Sequence, residues 1–323
     1  MRLTSKPVLC NYYLTYRCNA SCSFCDIWEK PSPYATLEHV TANLRDLKKL
    51  GVKVIDFTGG EPLLHRQLPD FLALAKKMGF ITTVTTNTLL YPKFAESLKG
   101  KIDMLHFSLD SPIEEEHNAS RNVKCFDKFL ESIELAKSLG ERPDILFTVT
   151  SSNIYHIRQV YETISRPNKL VLILNPVFEY NQVGGTLDAA QLDELSAWGR
   201  KRQVYLNQAF ISLRKNGGNQ VSKPVCRAAS STVVISPENK LIMPCYHLGL
   251  EEFDINDRLL EVRSSEKVKE YMGMEGKHDG CQGCTVNCYF QPSFAVELSS
   301  YWLQSLPSTL KYAMEKRMWN AMW

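Results

Sequence analysis

The sequence predicts an α/β fold: an open barrel of six strand–helix units, followed by a small cysteine-rich extension. Three observations carry this. Over roughly the first 200 residues, short β-branched runs alternate with apolar faces of helical period. Gly51, Gly79 and Gly140 stand where those helical faces stop, as expected of a residue that takes the left-handed conformation without strain. Beyond about residue 220 the alternation gives way to short strands, turns and five cysteines.

The elements follow in order. Leu9 to Leu14 reads as the first strand. Leu37, Val40, Leu44, Leu47 and Leu50 line one face of a helix, and Val52 to Phe57 is the second strand. Leu68, Phe71, Leu72, Ala75 and Met78 form the next helical face. The β-branched run Phe80 to Thr86 is the third strand. A helix over Pro92 to Leu98 and a strand over Met104 to Leu109 come next. Phe126, Phe129, Ile133, Ala136 and Leu139 mark a further helix, and Asp144 to Thr150 a strand. Ile154 to Ile164 reads as a helix, Lys169 to Asn175 as a buried parallel strand, and Asp188 to about Asn207 as a helix. Consecutive units of this kind imply a parallel sheet with right-handed crossovers. Six of them fall short of the eight that close a barrel, so the expected class is a partial (β/α)6 TIM-like barrel. The expected domains are residues 1–215 for the barrel, 220–295 for the extension and 296–323 for a C-terminal tail. A soft boundary is read at Lys215 to Gln220.

Composition narrows the function classes. The chain has 323 residues, 44% hydrophobic and 23% charged, which excludes wholesale disorder. Its 38 basic and 35 acidic residues leave a net charge of +3, with no clustered basic excess, so nucleic acid is not expected as a partner. No apolar run is long enough to span a membrane, and Met1 to Pro7 lacks the apolar stretch of a secretory signal. A cytoplasmic location is therefore expected, where thiols stay reduced. Eight of the ten cysteines fall into two groups, which points to metal rather than disulfides. Cys10 and Cys125 stand apart and are read as core.

The first group is Cys18-Asn19-Ala20-Ser21-Cys22-Ser23-Phe24-Cys25, in the loop after the first strand. Three thiolates so spaced can hold three corners of a [4Fe–4S] cube and leave the fourth iron open, as in a catalytic centre. Zinc is the alternative. It would want a fourth ligand, and the nearest histidine downstream, His39, sits in the helical pattern. Thr58-Gly59-Gly60-Glu61-Pro62 follows the second strand. The cysteine loop with Phe24 before its last thiol, together with Gly59, Gly60, Glu61 and Pro62, resembles the radical S-adenosylmethionine (AdoMet) superfamily. Weaker echoes follow the later strands: Thr85-Thr86-Asn87, then Ser108 with Asp110, then Arg121 between His117 and Phe126.

The resemblance implies that Cys18, Cys22 and Cys25 hold a [4Fe–4S] cluster whose open iron chelates AdoMet. It also implies that Gly59 to Pro62 meet the AdoMet amino group, with Glu61 as acceptor, and that Asn87, Ser108, Asp110 and Arg121 lie near the rest of the cofactor. Asp110 also reads as a turn cap, and Arg121 as a surface ion pair. The implied chemistry is reductive cleavage of AdoMet to a 5′-deoxyadenosyl radical that abstracts hydrogen from a substrate. A flavodoxin- or ferredoxin-type reductant would supply the electron.

The second group is Cys226, Cys245, Cys281, Cys284 and Cys288. Val233 to Cys245 reads as a β-hairpin turning at Glu238-Asn239-Lys240. It resembles the hairpin of the SPASM and twitch extensions, with Asn239 where those carry a turn glycine. Five cysteines can fill one cube with one to spare, Cys281 or Cys288, so one auxiliary [4Fe–4S] cluster is expected, with zinc as the alternative. In the tail, Leu310, Met314, Met318 and Met322 recur every four residues beside Trp319, Ala321 and Trp323, after a cap at Ser308. This helix either packs on the barrel or lies on a bilayer through Lys311, Lys316 and Arg317. The substrate class stays open between peptide or protein, small metabolite and lipid. With the first strand read from about residue 8, no N-terminal peptide-binding domain is expected, which lowers the peptide option but keeps it open. A non-enzymatic iron–sulfur or zinc protein that binds a nucleotide or partner is the rival reading.

Overall fold

The computed structural model describes residues 1–178 and 187–317. The apolar periodicity resolves into one mixed α/β layer structure. Strands β1 (Leu9–Tyr13), β2 (Val54–Thr58), β3 (Ile81–Thr86), β4 (Met104–Leu109), β5 (Asp144–Val149), β6 (Leu172–Pro176) and β7 (Val204–Tyr205) lie side by side, all parallel. On the other side of β1 run β8 (Thr232–Ile235), β9 (Lys240–Met243) and β10 (Glu251–Asp254). The ten-stranded sheet is open, in the order β10-β9-β8-β1-β2-β3-β4-β5-β6-β7. β8 is parallel to β1, while β9 runs antiparallel to both of its neighbours, β8 and β10. The extension's hairpin thus continues the barrel sheet.

Helices α1 (Leu37–Leu50), α2 (Leu68–Lys77), α3 (Tyr91–Leu98), α4 (Glu114–Arg121) and α5 (Phe126–Ser138) cover the outside. The Thr36 side chain caps α1 by accepting from His39 N, and Gly51 ends it at φ +91°. Strand residues alternate between two faces. Ile55 and Phe57 of β2 are fully buried with Leu44, Leu47 and Phe71 of the helices. Asn11, Tyr13 and Asp56 point the other way, into the barrel lumen. In register, Asn11 stands opposite Asp56, and Asp56 opposite Thr83.

Several expected elements differ. The helix expected to reach Asn207 is Ala189–Gly199. It ends where Gly199 passes so close to Leu206 that a β-carbon would sit 2.9 Å from that residue's own. The chain then adds β7 and a helix, Gln208–Lys215, capped by Asn207. The segment 154–168 changes from 3-10 to α to π turns, so its apolar face is not one regular helix. Asn239 takes φ +62° at the hairpin turn, the conformation expected of it.

The C-terminal helix begins earlier than expected. It spans Ser300–Lys316, capped by Ser299, with Pro307 inside it. Ser308 is no cap; it is buried and accepts a 3.4 Å bond from Gln208 N. Lys311 donates to the carbonyls of Gly199 and Lys201. Lys316 lies 2.9 Å from Asp144 Oδ1, and Tyr312 donates to Asp144 Oδ2 at 2.5 Å. This helix therefore packs across the barrel's β5–β7 edge, with two of the three cations expected at a bilayer already engaged there. Met318, Trp319, Ala321, Met322 and Trp323 lie outside the described residues. Among the described residues no helix is long and apolar enough to cross a membrane. Cys10 and Cys125 are buried.

Candidate functional site

The first cysteine group occupies the loop between β1 and α1, at the C-terminal ends of the strands. Two structures brace it. On one side, Gly60 N donates to Thr15 O and Glu61 N to Arg17 O, both at 2.9 Å. A β-carbon on Gly59 would sit 2.1 Å from Thr15 O, and one on Gly60 2.3 Å from Arg17 O. Only glycine allows the turn after β2 to lie this close to the cysteine loop. On the other side, Ser21 N donates to Arg121 O and Ser23 N to Ser120 O at the end of α4. Asn122 Nδ2 donates to Ser21 Oγ at 2.8 Å.

Glu61 is 1% exposed and already has partners. Its Oε1 accepts from Leu63 N at 3.0 Å and Thr86 Oγ1 at 2.8 Å, and its Oε2 from Asn87 N at 2.8 Å. Burial outweighs those bonds and raises its pKa to about 7. Pro62 opens the short 3-10 turn that follows. Asn87 carries the network onward: its amide donates to Asn19 Oδ1 at 2.7 Å and lies 3.9 Å from Cys18 Sγ. Glu61 thus ties the end of β2 to the end of β3, and through Asn87 to the cysteine loop.

Asp110 and Arg121 meet each other. Arg121 Nε reaches Asp110 Oδ2 at 2.7 Å and Nη2 reaches Oδ1 at 2.9 Å, with both side chains buried. Ser120 Oγ and the backbone carbonyl's partner Asn153 Nδ2 complete the Asp110 shell. The expected surface ion pair is therefore an interior one, and the expected cap is a bidentate salt bridge. Arg121 also lies 5.7 Å from the Phe24 ring centroid. Ser108, on β4, is buried on the lumen side.

Burial pushes the Cys18, Cys22 and Cys25 thiols up, Cys18 to about 11, so holding metal as thiolates must release protons. Among the described residues, no three Cys, His, Asp or Glu side chains converge as a single ion would require.

Cys226, Cys245, Cys281 and Cys284 line one cavity of ≈ 470 Å³. Sequence reasoning missed the residue that assembles this cavity, Asn219, in the segment read as a soft boundary. It is fully buried. Its Oδ1 accepts from Val225 N at 3.0 Å and Cys226 N at 3.1 Å. Its Nδ2 donates to Gly276 O at 2.8 Å and Cys281 O at 3.1 Å. Its backbone N donates to Cys284 O, and its carbonyl accepts from Gly283 N. Gly218 at φ +77° lets the chain approach Gly283, where a β-carbon would sit 2.2 Å from the carbonyl oxygen. The only signal in the sequence was a Gly-Gly-Asn run, which also marks an ordinary turn.

Cys288, on the first turn of the helix Asn287–Val296, does not line that cavity. Its thiol pKa is driven well up by burial, with Cys245, Asp56 and Cys284 adding to the effect. Asp56 itself is raised to about 7 by burial. An aromatic cluster joins the two cysteine groups. Tyr246, next to Cys245, stacks on Tyr13 at 4.5 Å and accepts a 2.9 Å bond from Lys30 of the first loop.

Comparison with known proteins agrees with this geometry. Residues 12–164 match the Radical SAM superfamily. The chain is 27% identical over 265 residues to a probable GTP 3′,8-cyclase of Sulfurisphaera tokodaii, covering 76% of this chain and 83% of that one. Its fold is similar to Streptococcus suis SuiB bound to S-adenosylmethionine, with a TM-score of 0.69 at 19% identity over 87% of this chain and 71% of that one. It is also similar to anSMEcpe with bound AdoMet, with a TM-score of 0.64 at 19% identity over 98% and 95%. SuiB has also been solved with precursor peptide SuiA, and anSMEcpe with a Cp18Cys peptide. The cysteine triplet braced at the strand ends of the open parallel barrel lies within the segment, residues 12–164, that matches the Radical SAM superfamily.

Proposed function

We propose that the protein is a radical SAM enzyme with one auxiliary iron–sulfur cluster, acting on a substrate held in the barrel lumen. The observation that supports it best is the double bracing of the Cys18–Cys25 loop, by the Gly59–Glu61 turn and by the end of α4. Cys18, Cys22 and Cys25 would hold the cluster. The chemistry such a cluster supplies is one-electron cleavage of AdoMet to methionine and a 5′-deoxyadenosyl radical, which takes a hydrogen atom from the substrate. The backbone of Gly59 to Pro62 lines the approach for the AdoMet amino group, and Asn87 and Ser108 face the same strand ends. Glu61, Asp110 and Arg121 act mainly as positioning residues, because each is already bonded within the protein. The electron would come from a flavodoxin- or ferredoxin-type reductant.

The lumen presents Asn11, Asp56 and Thr83. Such a polar wall suits a hydrogen-bonding substrate, a peptide or a polar metabolite, better than a plain lipid chain. A bilayer role for the tail loses support, since Lys311 and Lys316 are held by the barrel. The test is anaerobic reconstitution with iron and sulfide, then AdoMet and dithionite. Release of 5′-deoxyadenosine and methionine is expected, and replacing Cys18, Cys22 and Cys25 together with alanine should abolish it. Turnover that persists in the triple variant would refute the assignment, and a loaded protein that never cleaves AdoMet would favour the non-enzymatic reading.

A further inference from the structure

The first cysteine loop has an outer side that AdoMet and substrate do not use. Of its three thiols, Cys25 is the exposed one. The chain then makes a short 3-10 turn, Ile27–Glu29, which buries Ile27 and leaves Trp28 40% exposed. The indole is nonetheless held, because Trp28 Nε1 donates to Cys25 O at 2.8 Å. The stretch that follows is fixed as well. The buried Ser32 hydroxyl accepts from Tyr16 N, and Arg17 Nε donates to Ser32 O, both at 2.8 Å. The Arg17 guanidinium thereby stands 5.5 Å from the centroid of the exposed Tyr34 ring. Lys30 is held over the Tyr246 ring, 4.4 Å from its centroid. At the other border of the loop, Asn122 is bonded to Ser21, and Lys124, two residues on, is exposed. Across residues 17–34 and 120–124, the exposed charged side chains are Arg17, Lys30 and Lys124 against Glu29. Exposed aromatic rings on a rigid, cation-rich surface are the composition of an interaction site.

We propose that the electron enters through this outer face: a small flavoprotein carrier with an acidic rim docks on Trp28 and Tyr34, between Arg17, Lys30 and Lys124. The proposal rests on the radical SAM reading above, which needs one electron from outside for AdoMet cleavage. Three properties of the face fit that partner. Electron transfer slows steeply with distance, and a donor touching the Trp28 ring is one hydrogen bond from the backbone of Cys25. The benzenoid edge of a flavin is flat and apolar, which suits contact with exposed indole and phenol rings. The excess of cations steers an acidic carrier to the loop, and transient redox encounters need only a small interface. In the step itself the carrier's flavin loses one electron, which is taken up at the Cys18–Cys25 loop, and no covalent bond changes. Trp28 acts by docking the donor and does not touch AdoMet or substrate.

The test uses the reconstituted full chain, with a flavodoxin and its NADPH-linked reductase as the probe. Calorimetric titration with oxidised flavodoxin, in the absence of AdoMet, should give an affinity that weakens as salt is raised. Trp28→Ala and Lys124→Glu should each weaken it by about tenfold, and Glu29→Lys should tighten it by roughly threefold. At low flavodoxin concentration, NADPH-driven release of 5′-deoxyadenosine should fall by about tenfold in Trp28→Ala and in Lys124→Glu. Dithionite is a small donor that needs no docking face, so it should drive both variants at the wild-type rate. Equal loss with both donors would make Trp28 a mere support of the cysteine loop and would overturn the proposal. Wild-type affinity in both Lys124→Glu and Glu29→Lys, two changes at the surface that leave the loop's bonds intact, would overturn it as well. A wild type that binds flavodoxin but cleaves no AdoMet with either donor would instead overturn the radical SAM reading on which it rests.

Discussion

Glu61 gives the sharpest physical test of the site's architecture. Its carboxyl is buried, with no cation bonded to it, and accepts from Leu63 N, Thr86 Oγ1 and Asn87 N. Its pKa rises from the ordinary 4.5 to about 7. The unfolded chain releases this proton near 4.5 while the folded chain keeps it to about 7. Between those values the native state binds more protons, so stability falls as pH rises. At 1.36 kcal/mol per unit, the loss is roughly 3 kcal/mol as an upper bound. Glu61→Gln mimics the neutral acid and does not titrate. In the metal-free protein the two should be about equally stable at pH 5, and the glutamine variant should be more stable by about 1 to 3 kcal/mol at pH 8. Asp56 is present in both, so its own titration cancels. Glu61→Ala instead strands three donors, at roughly 1–3 kcal/mol each, and should lose roughly 3 to 5 kcal/mol even at pH 5, since Thr86 can rotate to a new partner. Urea melts followed by far-UV circular dichroism from pH 5 to 8 would measure all three. A difference between wild type and Glu61→Gln that stays constant across that range, or favours the wild type at pH 8, would refute the argument.

Asn219→Ala leaves buried backbone groups of Val225, Cys226, Gly276 and Cys281 without partners, and should cost roughly 3 to 5 kcal/mol. It should also lose auxiliary iron selectively; equal loss from both clusters would contradict its role as the clasp of one cavity. Arg121→Ala isolates the buried Asp110 carboxylate and should cost about 3 to 5 kcal/mol, whereas pairing it with Asp110→Asn should restore much of that. A double-mutant cycle in thermal melts reads this, and additive losses would show that the two side chains do not interact. Asp144→Asn weakens the bonds that Tyr312 and Lys316 make to β5. Limited proteolysis should then cut within the C-terminal helix several times faster; an unchanged cleavage pattern would mean the helix is held elsewhere.

The amino-acid sequence by itself determined the parallel α/β order of β1 to β6, because alternating periods of two and 3.6 report which face of each element is buried. It also determined the first cysteine group, since Cys18, Cys22 and Cys25 lie within one loop and their spacing is a local property. Asn239 at the hairpin turn was legible for the same reason: backbone conformation there depends on the residue itself. Partnerships were not legible. Glu61 bonds to Thr86 and Asn87, Asp110 to Arg121, and Lys316 to Asp144, across sequence separations that no periodicity records. A short polar pattern does not say whether a carboxylate waits for a ligand or already holds its own arginine. The Gly-Gly-Asn segment before the extension read as a boundary, because turn residues look alike whether they face water or clasp a cavity. Only the tertiary structure bonded Asn219 to Cys226, Cys281 and Cys284 and brought Cys245 into the same cavity, since that depends on where β8 joins β1 and how the last helices close over the sheet.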